Sequence, residues 1–236
     1  MIIIPARLAS TRFPAKVLYE IDGTPMVILT ALRAKEVDEV VIATDSEEVV
    51  DVAKRHGFEA VLTSEHHKSG TDRVNEAAAI LGLGDKEIII NVQADEPFIE
   101  PEVIETVKET AGRHKEDGTV MMASAYKVLP YPQKNDPNLV KVVTSSNDYA
   151  LYFSRSLIPY DREGSEPTIK AHLGIYGYTK KMLERFCSLE PAPLEEIEKL
   201  EQLRALYHGY KIAMSEVVSK SVGIDTIEDL VRLGLR

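Results

Sequence analysis

The 236-residue chain contains a single cysteine, Cys187, and no tryptophan. One thiol excludes an intrachain disulfide and a zinc site built from several cysteines. No apolar run reaches the roughly 18 residues that a membrane-spanning helix needs, and the apolar start of the chain is too short for a signal peptide. We therefore expect a cytoplasmic protein without a membrane partner.

Positive charge is also scarce. The chain has 28 Lys and Arg residues against 38 Asp and Glu residues, a formal net charge of −10. This balance argues against a broad nucleic-acid-binding surface, so we expect no nucleic-acid partner. An anionic ligand must instead be met by a local cluster of basic residues.

Short β-branched runs alternate with amphipathic segments in the first half of the chain. Residues 2–4, 40–43, 60–62 and 88–92 are predicted strands, with helical patterns between them. The alternation predicts an α/β fold with a mostly parallel sheet, and the length suits a single domain over residues 1–236. The nearly continuous apolar run at 88–92 is typical of a central strand covered on both faces.

The pattern changes at about residues 119–178, where predicted strands at 140–144, 150–153 and 173–178 are separated by turns rich in Pro, Asn and Asp. This predicts a smaller β-rich extension within the domain. Leucine and isoleucine at three-residue spacing then predict one helix over residues 194–207. The extension and this helix could supply a self-complementary interface, so we expect a C2 homodimer.

A basic loop follows the first predicted strand and contains Arg7, Arg12 and Lys16. The carboxyl ends of parallel strands are where open α/β sheets bind ligands, and three clustered cations favour a triphosphate. The alternative is a solvated loop with surface salt bridges. The loop matches neither a P-loop nor a G-x-G-x-x-G turn, which weakens ATPase and dehydrogenase interpretations.

A second polar turn, from Ser69 to Arg73, precedes an apolar helical pattern. Free N–H groups and hydroxyls at such a helix start could contact a ribose or a phosphate. An ordinary helix cap explains the same pattern equally well.

Two carboxylates are candidate metal ligands. Asp95 follows the predicted central strand, and Asp225 precedes the last predicted helix. Mg²⁺ is usually held by one or two carboxylates together with substrate phosphates, so the two residues suit Mg²⁺ if they converge. The alternatives are a turn residue for Asp95 and a helix-terminal partner for Asp225, and Asp45 fits a structural turn better than a ligand.

Seven short motifs in order along the chain carry a resemblance to a known family. With these motifs the sequence resembles the 3-deoxy-manno-octulosonate cytidylyltransferases over essentially its whole length. The motifs are Pro5-Ala6-Arg7 with Ser10-Thr11-Arg12, Ser69-Gly70-Thr71-Asp72-Arg73, Asn91-Val92-Gln93-Ala94-Asp95-Glu96-Pro97, Ala150-Leu151-Tyr152-Phe153-Ser154-Arg155, His172-Leu173-Gly174-Ile175-Tyr176-Gly177, Leu200-Glu201-Gln202-Leu203-Arg204 and Gly223-Ile224-Asp225-Thr226.

The resemblance implies a Rossmann-like nucleotidyltransferase domain that transfers CMP from CTP to the anomeric hydroxyl of 3-deoxy-manno-octulosonate (Kdo), releasing pyrophosphate, for lipopolysaccharide biosynthesis. It also implies a homodimer. The residue roles that follow are triphosphate binding by Arg7, Arg12 and Lys16; catalysis by these three residues and Asp95; nucleoside binding by Ser69, Gly70, Thr71 and Gln93; sugar binding by Arg155, Arg162, His172, Tyr176, Glu201 and Gln202; and Mg²⁺ binding by Asp95 and Asp225.

The sequence departs from the family's common pattern at Ala15 and Ala94, where glycine is frequent. An added methyl group matters if glycine there permits a close approach or an unusual backbone angle. On local pattern alone, His172 also fits a polar core residue, and Glu201-Gln202 fits the wet face of a helix.

Three alternative functions stay open. The nearest is a cytidylyltransferase for another acidic sugar, such as 8-amino-Kdo or sialic acid. A metal-dependent glycosyltransferase shares the predicted fold but usually has an Asp-x-Asp element, which the residues after the central strand lack. The third is a non-catalytic nucleotide-binding domain.

Overall fold

The computed structural model describes residues 1–9, 13–132, 134–224 and 226–235. The strands in these ranges are β1 (Ile2–Ala6), β2 (Glu20–Ile21), β3 (Thr24–Pro25), β4 (Val40–Thr44), β5 (Glu59–Leu62), β6 (Ile88–Asn91), β7 (Val120–Leu129), β8 (Lys141–Thr144), β9 (Ala150–Ser154), β10 (Ile169–Thr179) and β11 (Lys211–Glu216). The helices are α1 (Met26–Lys35), α2 (Glu47–Arg55), α3 (Gly70–Ile80), α4 (Pro101–His114), α5 (Lys180–Cys187), α6 (Pro193–Glu198), α7 (Leu203–Tyr207) and α8 (Ile227–Leu233), with a 3-10 turn at Lys16–Leu18.

The main sheet has the strand order β11-β7-β10-β6-β1-β4-β5. β1 pairs in parallel with β4 and β6, and β4 pairs in parallel with β5. β10 runs antiparallel to both β6 and β7, while β11 is parallel to β7. The predicted α/β fold with a central, mostly parallel sheet is thus confirmed.

Residues 119–178 supply four strands. β7 and β10 lie inside the main sheet, next to one another. β8 and β9 form an antiparallel pair that joins β10 where Lys141 lies opposite Ala171. Half of this β-rich stretch therefore completes the main sheet, and the other half is a two-strand appendage on it.

Helices cover both faces of the sheet, as the continuous apolar strands predict. Ile2 and Ile4 of β1 pack in one cluster with residues of α1, α2 and α4. Ile3 points the other way and packs with residues of α3, α5 and α7. A third cluster joins Phe13 to Leu230 of α8, which brings the end of the chain back to the N-terminal loop.

The prediction of a single helix over residues 194–207 is wrong. α6 ends at Glu198, the next residue, Lys199, has a left-handed φ of 53°, and α7 begins only at Leu203. The Glu198 carboxylate accepts hydrogen bonds from Ser154 Oγ and Arg155 N, which ties the end of α6 to β9. The turn buries Leu203 completely and leaves Ile197 79% exposed, so the leucine spacing that suggested one apolar face belongs to two helices.

The longest described helix, α4, has 14 residues and begins with Pro101 in its first turn, a position where proline is favourable. Its buried face packs on the sheet through Val103, Ile104 and Val107. Across the ranges given above, no helix has both the length and the apolar character needed to cross a membrane.

Candidate active site

Three neighbouring parallel strands, β4, β1 and β6, end at one edge of the sheet. Arg7 follows β1 and is exposed, and Asp45 follows β4. Asp45 accepts a hydrogen bond from Leu8 N at 3.3 Å and an ion-paired one from Arg73 at 2.7 Å. Asp45 therefore fixes the start of the basic loop, in keeping with its predicted structural role. Arg12, which was predicted to bind the triphosphate, lies outside the described residues.

Lys16 crosses from the basic loop to the end of β6. Its Nζ donates to Asp95 Oδ2 at 2.6 Å, and its side chain is only 12% exposed, compared with 31% for Asp95. The turn that carries Lys16 starts at Ala15, whose φ of 52° is left-handed. A predicted phosphate ligand and a predicted metal ligand are thus in direct contact.

The chain near its C-terminus reaches the same point. Ile224 is fully buried, and its backbone N–H donates to the Asp95 carbonyl at 2.9 Å. Asp225 itself lies outside the described residues. The contact of Ile224 brings the chain to Asp95 one residue before the second predicted metal ligand.

Gly70 permits a close approach between α3 and β1. A Cβ atom at Gly70 would lie 3.1 Å from Pro5 Cγ and 3.5 Å from Gln93 Oε1. Gln93 is also held by its own side chain, because its Nε2 donates to Asn91 Oδ1 at 3.1 Å. Two of the residues predicted to surround the nucleoside, Gly70 and Gln93, therefore adjoin one another.

The start of α3 carries the other two predicted nucleoside residues. Ser69 Oγ accepts from Asp72 N at 3.1 Å, which is an N-terminal helix cap. Thr71 Oγ1 donates to Glu201 Oε2 at 2.7 Å, across 130 residues of sequence. This bond joins the predicted nucleoside-binding turn to the predicted sugar-binding segment.

Glu201 has a largely buried carboxylate with polar neighbours. Burial is the main cause that raises the pKa of its carboxyl, partly offset by hydrogen bonds from Thr71 and Ser69. Its Oε1 atom is buried without a hydrogen-bond partner, and Arg204 lies 3.9 Å away while bound to Glu195. A ligand hydroxyl that donated to this oxygen would satisfy it.

His172 and Tyr176 follow one another along the same face of β10. Their ring centroids are 5.6 Å apart, and Phe153 packs edge-on against His172. Burial lowers the pKa of His172 to about 3 and raises that of Tyr176. Both side chains are therefore neutral at pH 7 and can offer hydrogen bonds rather than charge.

A bulge in β10 sets this geometry. The pairing register between β10 and β7 shifts between Leu173 and Tyr176, and Ser124 of β7 lies opposite the bulge. The Ser124 hydroxyl lies within hydrogen-bond distance of His172 Nε2 at 2.9 Å and of the Ile175 carbonyl at 2.8 Å. Ser124 was not predicted, because the pattern of β7 alone gives no sign of the bulge it faces.

The two predicted sugar-binding arginines differ in how far their side chains are engaged by the protein. Arg155 donates to backbone carbonyls of Glu198 at 2.7 Å, Pro137 at 2.8 Å and Lys199 at 3.3 Å, so its guanidinium holds the segment after α6. Arg162 is exposed. Gln202, also predicted to bind the sugar, is buried next to Glu201 at the start of α7.

Lys141 and Arg73 are buried cations that were not given roles from the sequence. Lys141 Nζ donates to four oxygens, among them the Leu139 carbonyl at 2.6 Å and the Arg155 carbonyl at 2.5 Å. Burial lowers the pKa of Lys141. Arg73 bonds to Asp45, 28 residues away, and Lys141 bonds to Arg155, 14 residues away, as well as to the turn just before it, so no helical or strand periodicity marks either residue as buried.

Metal binding at this edge would involve few protein ligands. Within the described part of the chain, no three His, Cys, Asp or Glu side chains form a group that could hold a metal ion. Asp95 offers a partly exposed carboxylate, the hard oxygen ligand that Mg²⁺ prefers. The arrangement fits an Mg²⁺ ion shared with substrate phosphates better than one held by protein alone.

The chain is similar to known proteins over nearly its whole length. The family whose sequence model matches residues 1–212 is described as cytidylyltransferase. The chain is 67% identical over 233 residues to the 3-deoxy-manno-octulosonate cytidylyltransferase of Nitratiruptor sp., covering 99% of this chain and 98% of the relative. It is 56% identical to the protein of the same name from Wolinella succinogenes, covering 98% and 97%.

Solved structures are similar as well. One is the CMP:2-keto-3-deoxy-manno-octonic acid synthetase complexed with CTP, with a TM-score of 0.90, 36% identity and coverage of 98% of this chain and 95% of that one. Another is a cytidylyltransferase from Leptospira borgpetersenii, with a TM-score of 0.61 at 19% identity and coverage of 98% and 83%. The second likeness concerns the fold alone.

Proposed function

Because this chain belongs to the cytidylyltransferase family, we propose that it transfers CMP from CTP to the anomeric hydroxyl of Kdo and releases pyrophosphate. The reaction is the one that the names of its relatives describe, and they match the chain over nearly its whole length. CMP-Kdo would then serve lipopolysaccharide biosynthesis.

The observation that carries the proposal is the hydrogen bond of 2.7 Å between Thr71 and Glu201. It joins the turn at the start of α3 to the segment before α7, which were assigned to different substrates. A transferase for two substrates needs both subsites within reach of one another, since the acceptor hydroxyl must approach the α-phosphorus.

The cations of the basic loop would bind the triphosphate. Nucleotidyl transfer is accelerated mainly by positioning and by charge stabilisation. Arg7 is exposed at the end of β1, Arg12 follows it in sequence, and Lys16 reaches the end of β6. Together these cations would offset the repulsion between the triphosphate and an anionic sugar.

Asp95 and Asp225 would hold Mg²⁺, which would neutralise phosphate charge and orient the phosphates. Lys16 already contacts Asp95, so the residue that would bind phosphate and the residue that would bind metal are adjacent. This adjacency supports a shared metal–phosphate site.

The residues proposed to bind the sugar would act through shape complementarity and hydrogen bonds. Glu201 offers an acceptor oxygen without a hydrogen-bond partner, neutral Tyr176 lies near it, and neutral His172 packs against Tyr176. An arginine would recognise the sugar carboxylate, and the exposed Arg162 is better available for this than Arg155, which bonds to three carbonyls.

The test is pyrophosphate release with CTP, ATP, GTP and UTP, each combined with Kdo, 8-amino-Kdo, sialic acid or no acceptor, in the presence of Mg²⁺. We expect release to require both CTP and Kdo. Release with a different sugar acid would keep the transferase and change the acceptor. Binding of CTP without release in any combination would favour a non-catalytic nucleotide-binding domain.

We also propose a homodimer and a cytoplasmic location. Strand β9 pairs with β8, and Leu151 on β9 is 61% exposed, which supports an apolar contact on this appendage. Light scattering of the protein and of Leu151→Glu would test the dimer, with a monomeric variant expected. Fractionation of the native host would test the location.

A further inference from the structure

The segment from Val217 to Ile224, here called the strap, connects β11 to α8 without secondary structure of its own. It ends at Ile224, whose backbone N–H donates to the Asp95 carbonyl at 2.9 Å. A backbone outside helices and strands must find other hydrogen-bond partners, and these decide where it lies.

Glu100 holds the middle of the strap through two hydrogen bonds. Its Oε2 accepts from Ser219 Oγ at 2.7 Å, and its Oε1 accepts from Lys220 N at 2.7 Å. Glu100 is the residue before the first turn of α4, but its side chain makes no cap bond to that helix. Burial raises the pKa of Glu100, but its hydrogen bonds from the strap outweigh this and leave the pKa lowered.

Glu96 and Lys127 hold the next residue of the strap from two sides. Ser221 Oγ donates to Glu96 Oε2 at 3.0 Å, and Lys127 Nζ donates to the Ser221 carbonyl at 3.0 Å. Gly223 lies so close to Glu96 that an added Cβ would be 2.8 Å from Glu96 Oε1. The strap therefore lies directly on the residue that follows Asp95.

Packing holds the two ends of the strap, where Val217 packs against the core and Ile224 is fully buried. Between them Val218 is 93% exposed. A small pocket adjoins Ser219 and Ser221, with Ile99, Val103, Leu173 and Ile175 on its other side. The middle of the strap is therefore located mainly by its hydrogen bonds to Glu100, Glu96 and Lys127.

We propose that Glu100, assisted by Glu96, is a positioning residue that fixes the strap and thereby holds Ile224 against Asp95. Binding of the metal and the nucleotide at this edge then depends on Glu100, although Glu100 touches neither of them. This inference rests on the proposed function, because it takes Asp95 as a ligand of Mg²⁺. Outer residues that orient metal ligands commonly change metal affinity by about 10–100-fold when they are mutated.

The test compares wild-type protein with Glu100→Ala, Glu100→Gln and Glu102→Ala. Glu102 lies on the same first turn of α4 and is exposed, so its variant controls for a lost charge at the helix start. Amide hydrogen exchange of the 217–224 peptide and the affinity of the protein–CTP complex for Mn²⁺ are measured without Kdo, together with the melting temperature. The Mg²⁺ concentration for half-maximal turnover is measured with Kdo.

For Glu100→Ala we expect exchange in the strap to accelerate and both the Mn²⁺ dissociation constant and the half-activating Mg²⁺ concentration to rise about tenfold. The KM for Kdo should stay within about twofold, and Glu102→Ala should behave as wild type. Glu100→Gln keeps one acceptor oxygen, so its effects should be smaller. A purely structural role would lower the melting temperature without changing metal affinity.

Faster exchange without weaker metal binding would overturn the inference, and so would unchanged exchange in Glu100→Ala. If Glu100→Ala does not fold, Glu100→Gln decides the question by the same readouts. Failure of the proposed function is seen separately, as wild-type protein that binds CTP and Mn²⁺ but forms no product with Kdo.

Discussion

The site has two sides that are held in place by different contacts. On the α3 side, Thr71 is buried at a helix start and bonds to Glu201, beside the packed rings of Tyr176 and Tyr178. On the loop side, Lys16 and Asp95 form an ion pair in which the Asp95 carboxylate stays 31% exposed.

The difference matches what each side is proposed to recognise. A nucleoside and sugar hydroxyls are recognised by shape and by hydrogen bonds, which require neutral groups held rigidly in advance. Phosphates and a metal ion are recognised by charge, and the pair of Lys16 with the partly exposed Asp95 offers a cation for a phosphate and a carboxylate for a metal ion. We therefore expect variants on the loop side to change turnover and variants on the α3 side to change acceptor recognition.

The largest effect is expected on the loop side, for Asp95→Asn. Loss of the carboxylate removes the proposed metal ligand, and metal stabilisation of developing charge is worth several kcal/mol, which corresponds to a loss of turnover of about 100-fold or more. Turnover at increasing Mg²⁺ concentration is the measurement. Near-normal turnover at saturating Mg²⁺ would remove Asp95 from the metal site.

A smaller effect of a different kind is expected on the α3 side, for Glu201→Gln. The amide replaces one acceptor oxygen with a donor, which would leave the sugar hydroxyl poorly matched and raise the KM for Kdo about tenfold. The KM for CTP should change little. Steady-state kinetics of both substrates measure this, with Glu196→Gln on the exposed face of α6 as the control. Equal increases in both KM values would contradict the division between the two sides.

His172 gives the α3 side a pH dependence. Its folded pKa of about 3 is below the ordinary value of 6.5, so the unfolded chain binds a proton that the native protein does not. Stability is therefore complete above pH 6.5 and falls as the pH decreases toward 3. Relative to His172→Gln, we expect wild type to lose about 2 kcal/mol of unfolding free energy between pH 7 and pH 5.

Urea unfolding of both proteins at pH 7, 6 and 5 measures this difference. Because the other five histidines are present in both proteins, they cancel in the comparison. Parallel pH profiles would mean that His172 takes up a proton in the native state, and the neutral description of the α3 side would then be wrong.

The smallest effect concerns the two alanines that stand where glycine is frequent. Ala15 has a left-handed backbone, so Ala15→Gly should relieve strain and stabilise the loop side by about 0.5 kcal/mol after the greater entropy of unfolded glycine is subtracted. Ala94 is not among the residues with positive φ and packs in the core, so Ala94→Gly should destabilise by about 1 kcal/mol. Thermal unfolding of both variants should give shifts of opposite sign; shifts of the same sign would contradict the assignment.

Much of the fold could be predicted from sequence because the apolar strands and the helices between them have distinct periodicities. The predicted ends of the parallel strands also indicated that Lys16, Asp95 and Gln93 lie at one edge of the sheet. The break between α6 and α7 at Lys199 could not be predicted, because leucines at three-residue spacing are compatible with one helix or with two. The hydrogen bond that Ser154 donates to Glu198 is a long-range contact that favours two helices.

Other features could not be predicted because they depend on contacts between residues that are far apart in sequence. The bond between Thr71 and Glu201 spans 130 residues, and the contacts of Glu100 with the strap span up to 120. No local pattern reports such pairs. The carbonyl partners of Arg155 were missed for the same reason, since they come from segments on either side of it in sequence.

Phosphorus NMR of the protein with CTP, Mg²⁺ and Kdo tests the central claim most directly, namely that this site joins CMP to Kdo. The account predicts that one phosphodiester signal and pyrophosphate appear together, in equal molar amounts, while CTP disappears, and that neither forms when Kdo is left out. Formation of free CMP with pyrophosphate, or CTP that persists while Kdo is present, would contradict it.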